Sequence, residues 1–126
     1  MKEMPQISDA EWRVMQVIWA KSSITANEVI EQLKGDTDWM PKTIKTLIRR
    51  LVDKKALGFQ KEGKAYLYYP LITENEGIRV ESEAFLKKVF NGSLNLMLAN
   101  FIDEQRFTEE ELAELRRIID GDGQRR

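Results

Sequence analysis

WMPKTIKTLIRRLVDKK, residues 39–55, carries two patterns at once. Its apolar residues Ile44, Leu47, Ile48, Leu51 and Val52 fall at i, i+3, i+4, i+7 and i+8, which makes one apolar stripe on an α-helix. At 3.6 residues per turn, Lys42, Thr46, Arg49 and Arg50 gather on the opposite side, with Thr43 and Lys45 on its flanks. The segment thus predicts a helix with one packed face and one exposed row of cations and hydroxyls. Two uses fit that row. It is the solvated side of an ordinary amphipathic helix, or it enters the major groove of DNA. The flanking sequence discriminates between them.

Upstream, two helices announce themselves by their starts. Ser8-Asp9-Ala10-Glu11 is a capping box, and Ile7 and Trp12 have the spacing of a hydrophobic staple. The first helix runs to about Lys21 with Trp12, Met15, Ile18 and Trp19 on its inner face; at helical spacing these are core residues. Thr25-Ala26-Asn27-Glu28 repeats the syntax, with Ile24 and Val29 as staple, and the second helix buries Val29, Ile30 and Leu33 before Gly35. Asp36 to Met40 connects it to Pro41, which sits at the N1 position that tolerates proline best. A short helix, a brief connection and a cationic helix read as helix-turn-helix. Met40 is a weak N-cap, because it has no side-chain oxygen; a phosphate docked on the open N–H groups offsets such a defect.

Downstream, the period changes from helical to alternating. Leu57–Lys61 and Ala65–Tyr69 read as two strands around Glu62-Gly63, with Lys61 and Lys64 at or beside the tip. A basic hairpin directly after a helix-turn-helix is the wing of a winged helix, although tip lysines also serve plain solubility. Pro70 ends the hairpin. Thr73 then opens a fourth helix with Glu74 and Glu76 in its first turn and Ile78, Phe85, Leu86, Val89 and Phe90 as its apolar residues. After Asn91-Gly92, Ser93 caps a fifth helix in which Leu94, Leu96, Met97, Leu98, Phe101 and Ile102 are apolar on more than one side. Thr108–Glu111 is another capping box and opens a sixth helix carrying Leu112, Leu115, Ile118 and Ile119. Gly121 ends it, and the polar tail to Arg126 is expected to be disordered.

Composition bounds the function. The 126 residues suit one ordinary domain or two very small ones, and 42% apolar with 33% charged residues describes a folded protein. There is no cysteine and no histidine, so Cys/His zinc sites and His-based nucleophile activation are excluded and no cofactor is expected. An enzyme ranks last. No run of about 18 apolar residues and no signal peptide is present, so a cytoplasmic protein without membrane insertion is expected. The net charge of −1 hides an asymmetry: residues 1–71 hold 12 Lys/Arg against 9 Asp/Glu, residues 72–126 hold 8 against 12, and Lys42–Lys64 alone holds 8 against 2. A basic patch inside an acidic chain is the footprint of a polyanion site.

These readings give a mainly α fold with a small β-hairpin. It consists of a winged helix-turn-helix domain over residues 1–71, then a three-helix dimerisation region over residues 72–126. About 50 residues is marginal for an independent core, so the last three helices expect a second copy. The seam is drawn through Phe85, Val89, Leu94, Met97, Leu98, Phe101, Leu112, Leu115 and Ile119. Folding of those helices back onto the winged helix is the monomeric alternative. A dimer presents two recognition helices to a palindromic site on double-stranded DNA.

The segments ISDAEWRVMQVIW, DWMPKTIKTLIRRL, YLYYPLI and GSLNLMLANF closely resemble the penicillinase and methicillin-resistance repressors of the BlaI/MecI family, over about Ile7 to Ile119. The DWxPKTIxTL stretch is the most specific part. The resemblance implies a homodimeric repressor of antibiotic-inducible resistance genes. It implies DNA contacts at Lys42, Thr43, Lys45, Thr46 and Arg50, with help from the wing. It further implies inactivation by cleavage at Asn100-Phe101, triggered through a membrane sensor-protease system. Two departures stand: Met40 replaces the hydroxyl residue common before the helix-3 proline, and the cysteine motifs of copper-responsive relatives are absent, which excludes thiolate copper sensing. A family repressor with an unrelated regulon and a winged-helix protein-interaction module are the rival readings. The cationic row, with Arg49 included, argues against the second.

Overall fold

The computed structural model describes residues 4–121. Six helices and one hairpin follow in the order α1 (Asp9–Ala20), α2 (Ala26–Leu33), α3 (Pro41–Asp53), β1 (Leu57–Glu62), β2 (Ala65–Pro70), α4 (Glu74–Phe90), α5 (Leu94–Asp103) and α6 (Glu109–Gly121). The chain forms two compact units that part between Val80 and Glu81, within α4. The polar tail after Gly121 lies outside the described residues. No described helix is long and apolar enough to cross a membrane.

The helix starts follow the local chemistry of the sequence. Ser8 and Thr25 each accept from the backbone N–H three residues on, and Glu11 and Glu28 reach back to the cap N–H at 2.9 Å. Thr108 and Glu111 do the same at the start of α6. So do Thr73 and Glu76 at α4, where Glu76 is more than the first-turn acid expected. These reciprocal bonds satisfy donors that a helix leaves open at its first turn.

In the first unit α1 packs on α2, α3 and β2, and α3 packs also on β1. The core is Val14, Met15 and Ile18 of α1, Val29 and Leu33 of α2, Ile44, Leu47, Ile48 and Leu51 of α3, with Ile7, Ile24, Ala56, Leu57 and Ile72. Two expectations are corrected, while Val14 joins the residues expected from α1 in the core. Ile30 is only half-buried, at the rim of that core. Trp12 and Trp19 are also half-buried, because they form its roof: they meet edge to face at 5.2 Å, and Trp19 Nε1 donates to the Ile72 carbonyl at 2.9 Å. Gly77 of α4 lies directly against this pair, and a Cβ there would stand 2.8 Å from Trp19 Cη2. Only a glycine permits so close an approach.

The hairpin pairs Leu57 with Pro70, Phe59 with Tyr68 and Lys61 with Tyr66. Its tip is Gly63-Lys64, one residue later than expected, and Gly63 supplies the positive φ of +64°. A third, one-residue strand joins from the α1–α2 link: Ile24 and Tyr68 exchange both backbone bonds, at 3.1 and 2.8 Å. The hairpin is therefore fastened to the helices by backbone as well as by side chains.

A second fastening is electrostatic. Glu11, 2% exposed, is the buried charged residue of the described chain. It accepts from Lys54 Nζ at the C-terminal end of α3, and Lys54 donates also to the Gln6 carbonyl at 2.7 Å. Burial pushes the Glu11 carboxyl up. Hydrogen bonds from Lys54 and Ser8, with the charge of Lys54, outweigh this and hold it below its ordinary value.

A carboxyl depressed by folding stabilises fully above its ordinary titration range and loses that contribution as pH falls through its lowered value. Glu11→Gln keeps the capping syntax and removes the ion pair. It should cost about 1–3 kcal/mol at neutral pH, and the melting midpoints of wild type and variant should converge on acidification. A gap independent of pH would assign the loss to packing instead.

Candidate nucleic-acid interface

Burial of Ile44, Leu47, Ile48 and Leu51 turns the other side of α3 outward. Lys42, Thr43, Lys45, Thr46, Arg49 and Arg50 are all exposed there, and the four cations among them make no ion pair with a described residue. The Thr46 hydroxyl donates to the Lys42 carbonyl at 3.0 Å, which fixes its rotamer and leaves its oxygen free to accept. At the start of the helix Met40 is the N-cap without a side-chain bond, and Pro41 occupies N1. The Met40 carbonyl takes the N–H groups of Thr43 and Ile44 at 2.9 and 3.2 Å.

The hairpin adds Lys61 and Lys64, both exposed. Cross-strand pairing puts Phe59, Lys61, Tyr66 and Tyr68 on one face of the hairpin. The Phe59 ring stands edge-on to Tyr66 at 5.4 Å and lies 6.3 Å from Tyr68. This face and the side of α3 enclose a cleft of about 340 Å³ lined by Lys45, Arg49, Val52, Asp53, Phe59, Tyr66 and Tyr68. Burial, then the neighbouring Tyr66, pushes the Tyr68 phenol up, so it remains a neutral O–H group.

Lys45 and Arg49 thus face the Phe59, Tyr66 and Tyr68 side of the hairpin across an aromatic-walled cleft; Lys42, Thr43, Thr46 and Arg50 continue the exposed side of α3, and Lys61 and Lys64 are exposed on the hairpin. Two things escaped the sequence reading. Lys54 is engaged with Glu11 and so leaves the free basic patch; a pair 43 residues apart carries no local signal. Phe59 and Tyr66 belong to the cleft, and there a signal existed, since a two-residue turn places 59, 61, 66 and 68 on one face.

The remaining expected residues lie on the later helices. Asn100 is exposed and Phe101 half-buried, both in the last turn of α5. Phe101 meets Phe90 at 6.3 Å and Phe107 at 6.5 Å, and Phe85 meets Phe90 at 6.0 Å. Neither α5 nor α6 has a buried residue. Phe85, Val89, Leu94, Leu112 and Ile119 are exposed; Met97, Leu98 and Leu115 are half-buried.

The penicillinase repressor family model matches residues 7–121. The chain is 48% identical over 120 residues to a penicillinase repressor of Bacillus licheniformis, covering 95% of this chain and 94% of the relative. It is 40% identical over 114 residues to the methicillin resistance regulatory protein MecI of Staphylococcus aureus, covering 90% and 93%. Among solved structures it is similar to the monomeric form of BlaI from Bacillus licheniformis in complex with the blaP half-operator. That likeness has a TM-score of 0.53 and 53% identity, and covers 60% of this chain and 93% of the other. The fold of the first unit is accordingly a winged helix.

The division of cations into engaged and free has a direct check. Lys54→Ala should lower the thermal midpoint by breaking the Glu11 pair, whereas Lys45→Ala and Arg49→Ala should change stability by no more than about 0.5 kcal/mol. Thermal unfolding followed by circular dichroism reads both. A destabilised Arg49→Ala would mean that the ridge is held by contacts of its own.

Proposed function

This chain belongs to the penicillinase repressor family, and from that premise we propose that it is a homodimeric repressor that occupies a palindromic operator of β-lactam-resistance genes and is inactivated by cleavage between Asn100 and Phe101. The observation that carries the reading is the free cationic ridge of α3 beside a basic hairpin, on a fold shared at 53% identity with a domain solved on a half-operator. Residues 1–71 grip the DNA and residues 72–126 join two copies.

Lys42, Lys45, Arg49 and Arg50 reach phosphates or guanine O6 and N7, and Thr43 and Thr46 a phosphate or a thymine methyl. Repression is steric: the dimer covers the promoter. What supports dimerisation is the second unit itself, whose α5 and α6 have no fully buried residue and leave Leu94, Leu96, Ile102, Ile118 and Ile119 open. Apolar surface on that scale is stable in water when a partner covers it. One copy alone offers a single recognition helix, so its hold on DNA lacks the effective-concentration gain of a linked pair.

Cleavage at Asn100-Phe101 acts on that seam. Phe101 stands between Phe90 and Phe107, so cutting before it severs the row that ties α4, α5 and the approach to α6 together. It also detaches Ile102, Leu112, Leu115 and Ile119. Each buried side chain of that size is worth roughly 1.5–3 kcal/mol, enough in sum to dissociate the pair at cellular concentration. A membrane sensor-protease system answering a β-lactam supplies the trigger.

A mobility-shift titration with DNA upstream of the chain's own gene tests the reading. Binding should exceed that to scrambled duplex and weaken steeply with salt, and Arg50→Ala should lose about 1–3 kcal/mol if it reads a base. Equal affinity for both duplexes would remove operator recognition. For the seam, the intact chain should sediment as a dimer and residues 1–100 as a monomer with collapsed operator affinity. A truncated chain that bound the full operator as tightly as the intact one would refute control by cleavage.

A further inference from the structure

The cleft between α3 and the hairpin holds two aromatic rings that the core does not use. Phe59 and Tyr66 remain 49% and 44% exposed, although Leu57 on the same face is buried. Their surroundings are charged rather than apolar: Lys45 and Arg49 form the opposite wall one helical turn apart, and Lys61 pairs with Tyr66 across the strands. Asp53 lines the cleft one helical turn beyond Arg49, beside Val52. A lining of rings, two cations and two phenol hydroxyls suits an occupant that is apolar on its flank and anionic at one edge.

This inference rests on the DNA-binding reading above. On that reading α3 lies in the major groove, and the hairpin packed at its side, across the cleft from Lys45 and Arg49, comes against a backbone strand bordering that groove. We infer that the cleft seats the sugar–phosphate backbone of that strand, with Phe59 packed on a deoxyribose and the Tyr66 hydroxyl donating to a phosphate held by Lys45 and Arg49. Tyrosine hydroxyls and cations are the common phosphate partners in such complexes, and an apolar ring fits the sugar flank. Asp53 repels a phosphate at its own end, so the charged edge is confined to the Lys45 and Arg49 end.

The assignment divides the labour of α3. Lys45 and Arg49, on the cleft side, anchor the backbone and carry no sequence information. Base reading then falls to the far side of the ridge: Lys42, Thr43, Thr46 and Arg50. The wing consequently contributes two aromatic residues to the DNA interface as well as its tip lysines.

The test uses the full chain with wild type, Tyr66→Phe, Phe59→Leu and Asp53→Asn, on operator and scrambled duplexes, and on operators with single phosphates replaced by neutral methylphosphonates. Tyr66→Phe should weaken binding about 3- to 10-fold on both unmodified duplexes, the loss of one hydrogen bond. That loss should vanish on the operator in which one particular phosphate is neutral, and Arg49→Ala should lose its effect at the same phosphate. Asp53→Asn should tighten binding on both duplexes. If wild type binds operator while Tyr66→Phe and Phe59→Leu bind within twofold of it, the cleft is not the backbone seat and the DNA-binding reading stands. A Tyr66→Phe loss confined to operator would make the residue a base reader and overturn the assignment. Failure of wild type to bind either duplex would overturn the DNA reading and this inference together. Should Phe59→Leu fail to fold, the conservative Tyr66→Phe substitution and its phosphate cycle decide the matter.

Discussion

Ile44, Leu47, Ile48 and Leu51 project from one side of α3 into the space between α1 and α2, where each is at most 4% exposed. Burying a side chain of this size is worth roughly 1.5–3 kcal/mol, and the four together rival the whole stability of a small domain, roughly 5–15 kcal/mol. Rolling the helix by a third of a turn would forfeit most of that. The roll of α3 is thus fixed from within, and the outward direction of Lys42, Thr43, Lys45, Thr46, Arg49 and Arg50 follows from it. The Glu11–Lys54 pair fixes the C-terminal end of the same helix, while its N-terminal end rests on Pro41 and an uncapped Met40. Backbone bonds between Ile24 and Tyr68 hold the hairpin at the helix's side. Geometry at the interface is set by contacts that the interface does not itself make.

What the sequence made legible was everything that repeats or sits within four residues. The stripe of α3, the S/T-x-x-E starts of α1, α2 and α6, the proline at N1 and the alternation of β1 and β2 are all local. Thr73–Glu76 obeys the same syntax and is equally legible. Contacts closed by the fold itself were not legible. Ile24 is a strand of one residue and has no period. Glu11 looked like a cap and nothing more, because its partner lies in another helix. The rings of Phe59 and Tyr66 could be put on a common face from the turn length, but only the packed hairpin shows that this face looks toward Lys45 and Arg49. The winged helix itself was expected and is what the first unit forms.

The second unit reverses the balance of the first. It is richer in exposed than in covered apolar side chains, and its internal order is an aromatic row, Phe85, Phe90, Phe101 and Phe107, each ring tilted edgewise on the next. Such contacts are worth about 0.5–1.5 kcal/mol each beyond area. A row of this kind has no redundancy: the third ring touches both neighbours, so whatever happens at the Asn100-Phe101 bond is felt on both sides of it. The bond also lies in the last turn of α5, where helix ends fray first and the chain most readily becomes extended.

The tryptophans give the molecule a built-in optical record of itself. Of the three, Trp12 and Trp19 form a close pair whose seat is shared with the Ile72 carbonyl and Gly77, at the root of α4. The third, Trp39, stands alone just ahead of α3. Ultraviolet emission and near-ultraviolet dichroism therefore carry two separable signals, one from a coupled pair that senses whether α4 is docked at its base, the other from a single ring just ahead of α3. Loosening of α4 and engagement of α3 can be watched as distinct spectral events, without attaching any label to the chain.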